Sequence, residues 1–133
     1  MTSYSNPKVT VDGVVVEGDS IVLIKRLNPP FEGMWALPGG FVDLDETVEE
    51  AVVREVEEET GLKVKVDKLV GVYSDPMRDP RRHTISVCFL CGKVGGVLKA
   101  GSDSKKAAWF KLDALPKLAF DHKEIVNDAF SLI

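Results

Sequence analysis

Cysteine and histidine are both scarce in this chain of 133 residues, with two of each. The cysteines, Cys88 and Cys91, form a C-x-x-C string that elsewhere marks zinc or redox chemistry. Here they stand in Thr84 to Cys91, TISVCFLC, which reads as a mostly buried strand, and residues three apart in a strand point to opposite faces. They read as core thiols in a reducing cytosol. Basic excess is also lacking: 17 Lys and Arg against 21 Asp and Glu leave a net charge of -4, which gives no electrostatic reason for nucleic-acid binding but permits a local basic patch for a small anion. No apolar run approaches the roughly 20 residues of a membrane span, so no membrane partner is expected. The first residues, MTSYSNPK, lack the apolar stretch of a signal peptide, and a cytoplasmic location is the expectation. Gly39-Gly40 is not followed by Lys-Ser or Lys-Thr, so there is no P-loop.

What is present suits one domain over residues 1–133, with 44% hydrophobic and 29% charged residues. Lys8 to Val16 and Ser20 to Arg26 flank the turn signal Glu17-Gly18-Asp19 and predict a hairpin. An irregular loop follows, ending in Gly39-Gly40. Thr47 with Glu50 makes a capping box and Gly61 supplies a C-terminal glycine, which predicts a helix from about Val48 to Thr60. Strands are expected at Lys63 to Val66, Leu69 to Tyr73, Thr84 to Val94 and Ala107 to Lys111, with a loop over Ser74 to His83. Asp121 is placed to cap a last helix ending near Leu132. The order points to an α+β fold, an α/β/α sandwich in which helices flank a mixed sheet.

The acids of the first helix are badly placed for an ordinary surface. Glu55, Glu58 and Glu59 lie at the end where the macrodipole disfavours negative charge, and they share an arc of about a quarter-turn. Val48, Ala51 and Val52 project into the same sector, whereas Glu49, Glu50 and Glu57 point elsewhere. Carboxylates that interrupt a burying face need a partner, and a cluster of oxygen ligands on one turn suits Mg²⁺ or Mn²⁺ better than zinc. Such a cation with open positions serves a pyrophosphate substrate, neutralising phosphate oxygens and activating water. The bare backbone at Gly39 and Gly40 allows that substrate a close approach.

Gly40, Glu46, Arg54, Glu55, Val56, Glu58, Glu59, Gly61 and Leu62 match the Nudix box at each specified position. The chain resembles Nudix hydrolases over nearly its whole length. That resemblance implies hydrolysis of a nucleoside diphosphate linked to another moiety. It implies Glu55, Glu58 and Glu59 as metal ligands, with the Gly40 carbonyl and Ala36 as further contributors. Arg54 is expected to hold the acids in place, with Glu46 as the partner that orients it. Glu55 is the expected general base; relatives often carry an acid in the later loop, where this chain has Lys105 and Lys106 and only Asp103 as a weaker candidate.

The segment YSDPMRDPRRHT, Tyr73 to Thr84, is similar to that of ADP-ribose pyrophosphatases, with Pro76 at the characteristic place. The resemblance implies ADP-ribose as substrate, with a (d)NTP or a dinucleoside polyphosphate as the alternative. A non-catalytic ADP-ribose sensor is the alternative of another class. Arg26, Arg78, Arg81 and Arg82 are candidates for phosphate or ribose oxygens. Trp35 and Phe31 are candidates to stack on adenine, while His83 and His122 read as structural. Similar enzymes are often homodimers, so a homodimer is an expectation.

Overall fold

Along the chain the elements are strands β1 (Lys8–Glu17), β2 (Ser20–Arg26), β3 (Trp35–Ala36) and β4 (Gly39–Phe41), helix α1 (Val48–Thr60), strands β5 (Leu62–Tyr73), β6 (Thr84–Gly96) and β7 (Ser104–Lys111), a 3-10 turn at Leu112–Ala114, and helix α2 (His122–Phe130). They come from a computed structural model that describes residues 5–101 and 104–133, the side chain of Lys105 apart. Asp103 lies outside the described residues.

β1 and β2 leave their turn as an antiparallel hairpin, pairing Glu17 with Ser20 and Val16 with Ile21. They then part. β4 takes the vacated edge of β1 at Thr10–Asp12, and β3 takes that of β2 at Ile24–Lys25. The other edge of β1 pairs in parallel with β6 over Lys8–Val16, β6 pairs antiparallel with β5, and β7 lies along the outer edge of β2. The parting of the hairpin is what makes room for a site, because it opens the sheet where the Gly-Gly segment crosses.

Alternation along β1 assigns the two faces. Val11 and Val15 pack with Ala51, Val52 and Val56 of α1, while Val14 packs with Ile125, Val126 and Ala129 of α2. The result is the helix-on-sheet-on-helix layering predicted above. Gly13 permits the first contact: a Cβ there would lie 3.0 Å from Val56 Cγ2 and 3.2 Å from Val52 Cγ2. Cys88 and Cys91 belong to opposite cores, both thiols are free, and burial pushes both pKa values up.

α1 begins and ends where its end signals place it. Thr47 Oγ1 accepts from the Glu50 N–H at 3.0 Å, Glu50 Oε1 accepts from the Thr47 N–H at 2.9 Å, and Gly61 closes the helix at φ 76°. Thr47→Ala is expected to lower unfolding free energy by about 1 kcal/mol, read as a lower urea midpoint with an unchanged slope.

Several boundaries differ from the pattern reading: β7 begins at Ser104 rather than Ala107, and the segment read as an irregular loop ahead of α1 holds the short strands β3 and β4. β5 runs unbroken from Leu62 to Tyr73, and the interruption at Asp67–Lys68 is a register shift against β6 rather than a break. β6 continues to Gly96 because Gly95 and Gly96 still pair with Lys63 and Leu62. α2 ends at Phe130, and Asp121 stands at its N-cap without a side-chain capping bond. That carboxylate is engaged elsewhere.

Candidate active site

The parted strands border a cavity of about 410 Å³. From α1 it receives Glu55 and Glu59; from β4, Gly39, Gly40 and Phe41; and from the turns on either side of β4, Leu37 and Asp43. β1 supplies Thr10 and Asp12, β2 supplies Arg26, and the 74–83 loop supplies Arg78, Asp79 and Arg81. Thr84, Phe120 and His122 complete the wall.

Arg54 organises the acidic edge. Its Nε donates to Glu46 Oε2 at 2.6 Å and its Nη2 to Glu46 Oε1 at 2.9 Å, a two-point grip. Nη1 donates to Glu55 Oε1 at 2.9 Å and to Glu58 Oε2 at 3.2 Å, and Nη2 also reaches the Phe41 carbonyl at 3.1 Å. The Arg54 hydrogen bonds hold the Glu46 carboxyl down at about 2. Burial pushes Glu55 up, and Arg54 only partly offsets it. One guanidinium thus joins the loop before α1 to the acids on its later turns.

These residues fit a hard cation. Gly40 lies against the Glu55 carboxylate so closely that a Cβ would be 2.6 Å from Oε2, so bare backbone and carboxylate oxygen share one wall. Glu58 is not part of the cavity; its side chain is 58% exposed and held by Arg54. Among the described residues no three His, Cys, Asp or Glu side chains close around one point. A donor set of one or two carboxylates, completed by water and phosphate oxygens, is the preference of Mg²⁺ rather than of a closed structural site.

The candidate substrate residues divide. Arg26 lines the cavity, donates from Nε to the Pro30 carbonyl at 2.7 Å, and sits 4.9 Å from the Phe120 ring centroid. Burial and then the neighbouring Arg81 lower its pKa, and the carboxylates of Glu59, Asp79 and Asp12 oppose that shift. Arg78 lines the cavity too, but its guanidinium is committed: two bonds to Asp121 at 2.7 and 2.9 Å and one to Thr84 at 2.8 Å. Trp35, Pro76 and Arg82 do not line it. Trp35 meets Phe110 edge-on at 4.7 Å in the α2-side core, Phe31 meets Phe120 edge-on at 4.8 Å, and Pro76 and Arg82 are exposed. His83 lies outside the cavity, bonded through Nε2 to the Ser74 carbonyl at 2.9 Å.

Asp12 and His122 escaped the sequence reading as site residues. The available signal was an acid inside an apolar strand, V-T-V-D-G-V-V-V. Asp12 Oδ2 accepts from Ser86 Oγ at 2.5 Å, and Oδ1 stands 3.6 Å from His122 Nε2. His122 Nδ1 accepts the Leu37 N–H at 3.0 Å, which requires that nitrogen to be unprotonated. Burial lowers the His122 pKa from 6.5, so the imidazole is neutral, and burial raises that of Asp12. The unfolded chain takes up the His122 proton first as pH falls, so the stability tied to this group is complete above about pH 6.5 and declines below it. Asp12, with its raised pKa, acts in the opposite sense. Wild type is expected to lose more Tm than His122→Asn between about pH 7.5 and about pH 5.5, and that difference isolates the imidazole.

The family model described as NUDIX domain matches residues 6–129. An ADP-ribose pyrophosphatase of Methanocaldococcus jannaschii is 59% identical over 125 residues, 94% of this chain and 74% of that protein. A bifunctional NMN adenylyltransferase/ADP ribose pyrophosphatase from Francisella tularensis, solved with AMP and a manganese ion, superposes with TM-score 0.88 at 28% identity, covering 98% of this chain and 43% of that one. The Nudix domain of Shewanella oneidensis NrtR, solved with ADP ribose, superposes at 0.83 with 26% identity over 97% of this chain and 90% of that one. A match over nearly the full length, at that level of identity to the archaeal enzyme, makes the chain a member of the Nudix family.

Proposed function

We propose that the chain hydrolyses the pyrophosphate of ADP-ribose to AMP and ribose 5-phosphate. The observation that carries this is the single cavity that joins Glu55 and Glu59, the open backbone of Gly39–Gly40, and the arginines Arg26 and Arg81. The similarity to the archaeal ADP-ribose pyrophosphatase supports the choice of substrate.

Glu59 and Glu55, with the Gly40 carbonyl and with Glu58 at the rim, would hold Mg²⁺ or Mn²⁺. When bound, such an ion neutralises phosphate oxygens and lowers the pKa of an attacking water. Arg26 takes the remaining phosphate charge, while Arg81, which also lines the cavity, is gripped by Asp79 through Nε at 3.1 Å and Nη2 at 2.7 Å. Glu55 accepts the proton as water adds to phosphorus and the bond to the bridging oxygen breaks. Arg54 keeps the Glu55 carboxylate aimed.

The test is a nucleotide panel assayed with Mg²⁺ and with Mn²⁺. AMP and ribose 5-phosphate in equal amounts from ADP-ribose are expected; preference for a nucleoside triphosphate would overturn the assignment. Tight binding of ADP-ribose without turnover would instead make the chain a sensor.

A further inference from the structure

Asp12 is the buried acid that the hydrolysis outlined above leaves without a task. It is 8% exposed and projects from β1 on the α2 side of the sheet, the same side as Thr10 two residues earlier. Ser86, fully buried, occupies Oδ2. Oδ1 is left with a 3.6 Å approach to His122 Nε2, longer than a hydrogen bond.

β4 shows where Oδ1 faces. Gly39 pairs with Asp12 and Gly40 with Val11, so the two glycines address opposite faces of the sheet. A Cβ on Gly40 would meet Glu55, whereas one on Gly39 would come to 2.5 Å of Asp12 Oδ1. The Gly-Gly segment therefore separates the acidic edge from a second polar position that lies in the same cavity. The neutral His122 ring carries its proton on Nε2, 3.6 Å from Oδ1, so this oxygen, open to the cavity, keeps room to accept from a ligand donor. Phosphate has no donor to give at neutral pH, and Arg26 in the same cavity is its partner instead.

The rings near the cavity decide which donor arrives. Phe120 is covered by Arg26 on its face and by the edge of Phe31, and Trp35 is packed against Phe110. Neither offers a purine a free face beside Asp12. Phe41, in the cavity wall and 42% exposed, is the ring left accessible away from Asp12. The group at Asp12 is then one rich in hydroxyls and without a base.

We propose that Asp12, set by Ser86 and assisted by Thr10, receives the hydroxyls of the terminal ribose of ADP-ribose, while the adenosine lies outward over Phe41. Asp12 is thereby the residue that selects the sugar-linked leaving half. This rests on the ADP-ribose reading above.

The experiment compares wild type, Asp12→Asn and Asp12→Ala on two substrates: ADP-ribose, and the tetrahydrofurfuryl ester of ADP, which keeps the pyrophosphate and the five-membered ring but carries no hydroxyl on it. Asn retains an acceptor for Ser86, and Tm by thermal melting reports whether each variant folds. Wild type is expected to lose about 10-fold or more in kcat/KM on the hydroxyl-free ester, chiefly through KM, and Asp12→Asn to lose about 10-fold on ADP-ribose. On the ester, wild type and Asp12→Asn are expected to converge. An equal loss by Asp12→Asn on both substrates, or a wild type indifferent to the missing hydroxyls, overturns the proposal while leaving the ADP-ribose activity standing. A wild type that turns over neither substrate overturns both readings. If Asp12→Ala fails to fold, Asp12→Asn alone decides.

Discussion

Glu59→Gln is expected to lower kcat for ADP-ribose by roughly 100- to 1000-fold, in the range seen when one preorganised charge-stabilising group is removed. The change is nearly isosteric and the backbone around it is secured independently. The Glu59 carbonyl accepts from the Gly101 N–H at 3.0 Å, and the Thr60 carbonyl from the Lys99 N–H at 2.8 Å. Stability should stay within about 0.5 kcal/mol of wild type. Calorimetric titration with Mn²⁺ should show weaker binding in parallel with the kinetic loss. A variant that keeps full activity would remove Glu59 from the catalytic machinery, and one that loses activity only by unfolding would show it in the melt.

Gly40→Ala is expected to separate activity from stability. The added Cβ meets the end of the Glu55 side chain at 2.6–2.7 Å, and a side-chain end can swing away. The displacement moves the carboxylate by about an ångström, which is enough to reduce turnover on the order of 100-fold, while Tm changes little. Gly39→Ala is the control, because its Cβ would strike the backbone carbonyl of Val11 in the neighbouring strand, which cannot swing. That variant should lose stability first. Parallel kcat and Tm measurements on the pair distinguish a glycine required by the site from one required by the sheet. Similar losses in both would show that neither glycine has a role separable from packing.

The parts of the molecule readable from sequence are those governed by local rules. The capping box at Thr47 and Glu50 and the αL glycine at 61 are decided within a few residues, and α1 starts and stops accordingly. Opposite faces for Cys88 and Cys91 follow from strand periodicity alone. The parallel pairing of β1 with β6 joins residues more than 70 apart, and no local signal announces it. The same distance hides the floor of the cavity, since Asp12 and Ser86 meet only through that pairing. Arg78 illustrates a second limit. Composition marks it as a free cation in a polar loop, yet the fold supplies Asp121 from the far end of the chain and buries the side chain to 5% exposure.

That last pairing ties two segments into one moving part. The 74–83 loop and the first turn of α2 are held by the same guanidinium, and α2 has no side-chain cap of its own to hold it when the loop departs. Opening of the loop and fraying of the helix start are then a single event. Backbone amides of Arg78 and of Glu124–Ile125 should exchange with deuterium at a common rate, and ligand contact at Arg81 should slow that exchange at the helix as much as in the loop.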